Sequence, residues 1–194
     1  MWLKFVPLEG RVISLVPLTL DHAADLWELA EPDLFTYMVA WPPAPDFETF
    51  RDIVRKLLAT PDRYPYAILL KESGKAVGST SYLDVRPEHR GLEIGGTWIG
   101  KPYQGTAVNP ESKYLLLRHA FETLGAIRVQ LKTDLRNLHS QRAIEKLGAK
   151  KEGVLRKHMI LSDGTIRDSV IYRITDDEWP EVKARLEARL GYAL

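Results

Sequence analysis

The stretch GLEIGGTWIG, Gly91 to Gly100, sets a single carboxylate, Glu93, among glycines in a strand-like run. Strict alternation along a strand puts Glu93, Gly95, Thr97 and Ile99 on one face, with Leu92, Ile94, Gly96 and Trp98 on the other. Interior glycines weaken a strand and mark a bulge or a close ligand approach. Glu93 on the floor of a ligand cleft could accept a proton. Pairing with a structural arginine, or exposure to solvent, accounts for the same residue.

The loop that follows, KPYQGTAVNPE, joins this strand to an apolar helical run. Gln104, Gly105, Thr106, Ala107, Val108 and Asn109 are mostly small or polar, and their amides could converge on an anion at the helix start. The pattern predicts a helix over Pro110–Leu124 with Asn109 as its N-cap and Pro110 in the first position. Glu111 in the first turn competes with an anion, and Pro110 removes one amide. The loop is therefore either an anion cradle or a well-capped connector, and it has no Walker pattern.

A second helix, NLHSQRAIEKLG, places Ser140 in line with Ile144 and Leu147 on its inward stripe. That hydroxyl either meets a ligand or bonds back to the backbone at Asn137, the helix N-cap. From Arg128 to His158 nine Lys and Arg face three acids, giving 9 − 3 = +6. A polyanionic small ligand, an ordinary solvated face and RNA all fit such a region, although the aromatic interleaving of an RNA platform is missing.

Several chemistries drop out. The chain has no cysteine, so disulfides, thiolate metal sites and an enzyme thioester are excluded. The five histidines lack metal-ligand spacing, and no Gly-x-Ser-x-Gly elbow is present. The formal net charge of +1 gives no global pull toward nucleic acid or a membrane. The opening residues, interrupted by Lys4, Pro7, Glu9 and Arg11, lack a signal-peptide core, so the cytosol is the expected compartment.

The elements that must position these groups run β-α-α-β-β-β-α-β-α-β-β-α. Asp46 caps a helix with the stripe Phe50, Ile53, Val54, Leu57 and Leu58, and Gly74 turns a hairpin. Gly148 ends the Asn137 helix, and Pro180 falls in the first turn of the last one. The 194 residues suit one domain, 1–194, of α/β (α+β) class, with a mixed, mostly antiparallel sheet flanked by helices.

This order, with LEIGGTWIG, the Gln104 loop and the Asn-x-x-Ser helix from Asn137 to Gly148, resembles the GNAT superfamily of acetyl-CoA-dependent N-acetyltransferases. Within it, the chain is most similar to the branch of ribosomal-protein N-terminal acetyltransferases, over about residues 8 to 175. The loop departs from the family pattern Gln/Arg-x-x-Gly-x-Gly/Ala at Ala107 and Asn109.

The resemblance implies acetyl-CoA as co-substrate, no metal, and a sheet splayed at the CoA site. Trp98, Ile99, Gly100, Gln104 through Asn109, Asn137, Ser140 and Arg142 would then hold CoA. Glu93 would serve as base and Ser140 as proton donor or relay to the leaving thiolate. Phe35, Tyr37, Trp41, His158 and Asp168 would line the acceptor pocket. The acceptor would be a peptide N-terminus or a small amine such as a polyamine, an aminoglycoside or an amino-acid-like amine, with neither nucleic acid nor membrane as partner. The branch often pairs, which implies a homodimer. A CoA-binding sensor without turnover is the rival expectation.

Overall fold

The computed structural model describes residues 1–192. One eight-stranded sheet runs through it in the order β1-β2-β3-β4-β5-β6-β8-β7. The strands are β1 (Leu8–Glu9), β2 (Ile13–Pro17), β3 (Arg63–Leu70), β4 (Ala76–Arg86), β5 (Gly91–Ile99), β6 (Arg128–Asp134), β7 (Lys150–Ile160) and β8 (Ile166–Thr175). Every neighbouring pair is antiparallel except β5 and β6. The fold is therefore the mixed, mostly antiparallel architecture expected, with the added two-residue β1.

The helices are α1 (Ala23–Leu29), α2 (Phe47–Ala59), α3 (Val108–Arg118), α4 (Leu138–Lys146) and α5 (Trp179–Leu190). Local chemistry sets their ends. Asp46 accepts from the Thr49 amide at 2.8 Å, a cap worth about 1 kcal/mol. Asn137 accepts from the Ser140 amide at 3.1 Å, and Gly148 stops α4 at φ +99°.

Two buried clusters cover the two faces of the sheet. One joins β-strand residues such as Leu92, Ile94 and Val129 to Leu116 of α3, Ile144 of α4 and Val182 of α5. The other gathers Leu26 of α1, Phe50 and Val54 of α2, and the aromatics Phe35, Trp41 and Trp98.

The parallel pair opens in the middle. β5 and β6 are paired only from Gly91–Arg128 to Ile94–Leu131, although both strands continue beyond. The break coincides with a bulge in β5: Ser79 lies opposite Trp98, but Ser81 lies opposite Gly95. One residue of β4 thus faces two of β5, and Gly96 takes the left-handed φ of +59° that such a bulge favours.

The bulge overturns the simple alternation. Ile99 joins Leu92 and Ile94 in the first cluster, whereas Trp98 crosses to the second. The extra residue shifts every later side chain to the opposite face.

Candidate active site

Where β5 and β6 part, a cleft of about 320 Å³ passes between the two faces of the sheet. One end lies against the loop before α3 and the start of α4. The other opens beneath the segment Leu34–Ala40. Glu93, Trp98, Ile99, Gln104, Gly105, Asn109, Asn137, Ser140 and Tyr37 all line it.

At the α3 end the site is built from backbone. Helix α3 starts two residues earlier than the sequence predicts: Ala107 is its N-cap, and the Glu111 amide donates to the Ala107 carbonyl at 2.9 Å. Thr106 does part of the capping, since its Oγ1 accepts from the Val108 amide at 3.3 Å and donates to the Tyr103 carbonyl at 2.5 Å. The amides of Gly105, Thr106 and Ala107 donate to no acceptor among the described residues. Gly105, at φ +70°, bends the loop so that this run precedes the positive end of α3.

Released from capping, Asn109 Oδ1 is buried with no hydrogen-bond partner. Gln104 Nε2 donates to the Ile99 carbonyl at 3.1 Å and fixes the end of β5. The objection raised by Glu111 also falls away. It is fully buried and turned from the loop, with Oε1 accepting from the Val12 and Ile13 amides at 2.8 and 2.9 Å. Its Oε2 is held by the Tyr192 hydroxyl.

Helix α4 presents Asn137, Ser140, Ala143, Ile144 and Leu147 to the cleft. Because Asn137 Oδ1 takes the Ser140 amide, the Ser140 hydroxyl is left without a protein partner among the described residues. Other residues expected at the CoA end lie elsewhere or at its rim. Val108 is in the core, and Arg142 is exposed on the outer side of α4. Thr106 and Ala107 sit in the loop outside the cleft lining. Gly100 donates its amide to the Val77 carbonyl, and a Cβ there would come within 2.8 Å of Leu29 Cδ1, so its smallness serves α1 packing.

A residue that sequence reasoning passed over lies between the two ends. Lys113 of α3 is 6% exposed, lines the cleft, and donates from Nζ to Thr97 Oγ1 at 3.1 Å. Thr97 in turn shares a hydrogen bond of 2.8 Å with Thr80. No carboxylate pairs with this ammonium among the described residues, and burial lowers its pKa to about 8. The available signal was a lysine one turn before Leu116 and Leu117 on an apolar run.

On the far face Glu93 is 2% exposed. Its Oε2 accepts from Gln130 Nε2 at 2.8 Å, and Lys132 Nζ lies 3.0 Å from Oε1. That ammonium approaches out of hydrogen-bonding alignment, so Oε1 has charge compensation but no aligned donor. Around it stand two guanidiniums. Arg63 has a buried Nη1 without a partner. Arg167 donates to Ser169 Oγ and to the Tyr37 carbonyl, each at 3.0 Å. Burial lowers both arginines from their ordinary value; the charge of Glu93 opposes the shift at Arg63, and Asp134 and then Glu93 oppose it at Arg167.

The expected acceptor residues divide. Tyr37 lines the cleft, with Arg136 stacked 5.1 Å from its ring centre. Phe35 and Trp41 do not: at 2% and 1% exposure they pack around Trp98 and support the cleft from behind. His158 faces a shallower groove that it shares with Glu93 and Lys132, and its Nδ1 is 2.9 Å from Ser169 Oγ. Burial, reinforced by Lys132 and Arg167 and opposed by Glu93, lowers its pKa from the ordinary value. Asp168 accepts from the Lys157 amide at 2.7 Å and from Arg156 at 3.1 Å, so it pins the irregular turn of β7 outside the cleft.

Among the described residues no group of three or more His, Asp or Glu could hold a metal ion. No helix of theirs is long and apolar enough to cross a membrane.

The comparisons with known proteins assign this fold to a family. Residues 13–150 match the acetyltransferase (GNAT) domain, and the chain belongs to that family. The chain is 47% identical to a provisionally assigned acetyltransferase from T. thermophilus. Its crystal structure superposes with a TM-score of 0.92 over 98% of this chain and all of that one. The probable N-acetyltransferase YjcK of Bacillus subtilis is 25% identical over 88% of this chain and 99% of its own length. The Microcin C7 self immunity acetyltransferase MccE, solved with acetyl-CoA and AMP, shares the fold at 21% identity. Its TM-score is 0.73, covering 86% of this chain and 93% of that one. The protein is accordingly an acyltransferase of the GNAT type.

Proposed function

We propose that the protein transfers an acetyl group from acetyl-CoA to a primary amine by direct attack in a ternary complex. The observation that carries this reading is the cleft through the splay. It runs from Gly105, the first of three free loop amides, to Glu93, so two substrates can enter from opposite faces and meet.

The amides of Gly105, Thr106 and Ala107 hold the pyrophosphate, and Asn109 and Asn137 supply polar groups along the pantetheine path. Acetyl-CoA supplies the activated acyl group and a thiolate leaving group. Amines of pKa near ~10 are largely protonated at neutral pH. Glu93 Oε1, the oxygen without an aligned donor, takes the ammonium proton. The freed lone pair forms the C–N bond as the C–S bond breaks. The second nitrogen proton passes to the thiolate, with the unpartnered Ser140 hydroxyl as relay. The buried ammonium of Lys113 stabilises the negative charge that develops there.

Both a peptide N-terminus, the acceptor of the branch this sequence resembles, and a small amine present the required group. The test is calorimetry with CoA, followed by thiol release from acetyl-CoA over a panel of amines. Micromolar CoA binding with amine-dependent thiol release is the expected result. CoA binding without turnover of any amine would leave a sensor, and no CoA binding would refute the reading.

A further inference from the structure

The acceptor half of the cleft carries more unsatisfied polarity than a neutral amine needs. Three of the buried side-chain atoms lacking a hydrogen-bond partner among the described residues are Arg63 Nη1, Ser81 Oγ and Glu93 Oε1. All three gather over the two glycines of the bulge. A Cβ at Gly95 would lie 3.4 Å from Glu93 Oε1. One at Gly96 would lie 2.8 Å from Arg63 Nη1 and 3.7 Å from Ser81 Oγ. The glycines thus let the Glu93 carboxylate and the Arg63 guanidinium lie close against the backbone of the bulge, side by side at the cleft.

The surrounding charge is lopsided. Arg63, Lys113, Lys132 and Arg167 line the cleft against Glu93 as its one acid. Lys132 already neutralises Glu93 at 3.0 Å. Arg63 has no carboxylate within salt-bridge distance among the described residues, and neither has Arg167. Arg63 is half-buried, but its buried Nη1 left without an acceptor is costly, and the fork geometry of a guanidinium suits a carboxylate or phosphate.

We propose that the amine acceptor is a small zwitterion of the amino-acid type. Its anionic group binds Arg63, and its amine is directed to Glu93. This rests on the acetyl-transfer reading above and narrows its substrate. The cation surplus disfavours polyamines and aminoglycosides, which would bring several positive charges into a cleft that already has an excess. The apolar side chains of Leu34, Met38, Val39 and Met159 along the same cleft favour an apolar side chain on the acceptor.

The experiment compares the twenty amino acids with their amides, aminophosphonate analogues, short peptides, spermidine and an aminoglycoside. The readout is thiol release with wild type and Arg63→Met. Loss of the anion should lower kcat/KM about 100-fold, the scale of a lost hydrogen bond to a charged group. Arg63→Met should erase the preference for acid over amide, mainly through KM. The variant removes no ion pair, and its CoA affinity should match wild type. The aminophosphonates show whether phosphate serves in place of carboxylate. Amides, peptides or polyamines turned over as well as the free acids would overturn the proposal. If no amine is consumed although CoA binds, acetyl transfer itself fails. Calorimetry of amino acids on the CoA-loaded protein then decides the zwitterion site separately: binding lost in Arg63→Met upholds it, and no binding refutes it.

Discussion

Of two buried glutamates, one lines the splay and one is turned away from it. Glu111, in the first turn of α3, is enclosed by donors: two backbone amides at the start of β2 and the Tyr192 hydroxyl. Glu93, beside the bulge of β5, has one oxygen held by Gln130 and the other facing an ammonium out of alignment. The two are of the same chemical type and similarly buried, and what separates them is completeness of partnering. A carboxylate with both oxygens held by donors ties elements together, whereas one with an oxygen left short is available to a substrate.

The strongest test of this contrast is Glu111→Ala. It strips two buried amides and a tyrosine of their acceptor, and stability should fall by about 3–5 kcal/mol. Chemical denaturation would measure it, and a loss below about 1 kcal/mol would make the two glutamates alike.

Glu93→Gln should do the reverse. We expect kcat to fall about 100-fold, the usual contribution of a positioned base, while CoA affinity is retained. Undiminished amine-dependent turnover across pH would remove Glu93 from the chemistry.

Lys113 sharpens the comparison from the opposite charge. Its pKa of about 8 in the folded state lies below the ordinary lysine value of 10.5. The unfolded chain therefore binds more protons between these values, and stability rises with pH across that window. Lys113→Met should stabilise the protein by about 2–3 kcal/mol below pH 8, an advantage that fades as the pH approaches 10.5. Denaturation midpoints at pH 7 and pH 10 would check both sign and trend.

What could be read from the sequence was local. The caps at Asp46 and Asn137 and the stops at Gly74 and Gly148 are set by neighbours within a few residues. The element order followed from them. The α3 loop was harder, because Thr106 took over the capping and moved the helix start to Val108. Phe35 and Trp41 looked like pocket residues, yet their fate depended on Trp98 arriving on their face after the bulge. Arg63 and Arg167 were missed because their meaning lies in partners they lack, and these sit on strands far apart in the chain.

The bulge at Gly96 has a further consequence. It divides β5 into two stretches of opposite parity: even-numbered positions face the first cluster at Leu92 and Ile94, and the odd-numbered Ile99 takes over beyond it. In a saturation scan of this strand, tolerance to polar residues should slip phase at Gly96. A one-residue deletion there would restore the regular count and leave Trp98 and Ile99 on the faces they occupy, because the bulge already takes one residue out of the alternation.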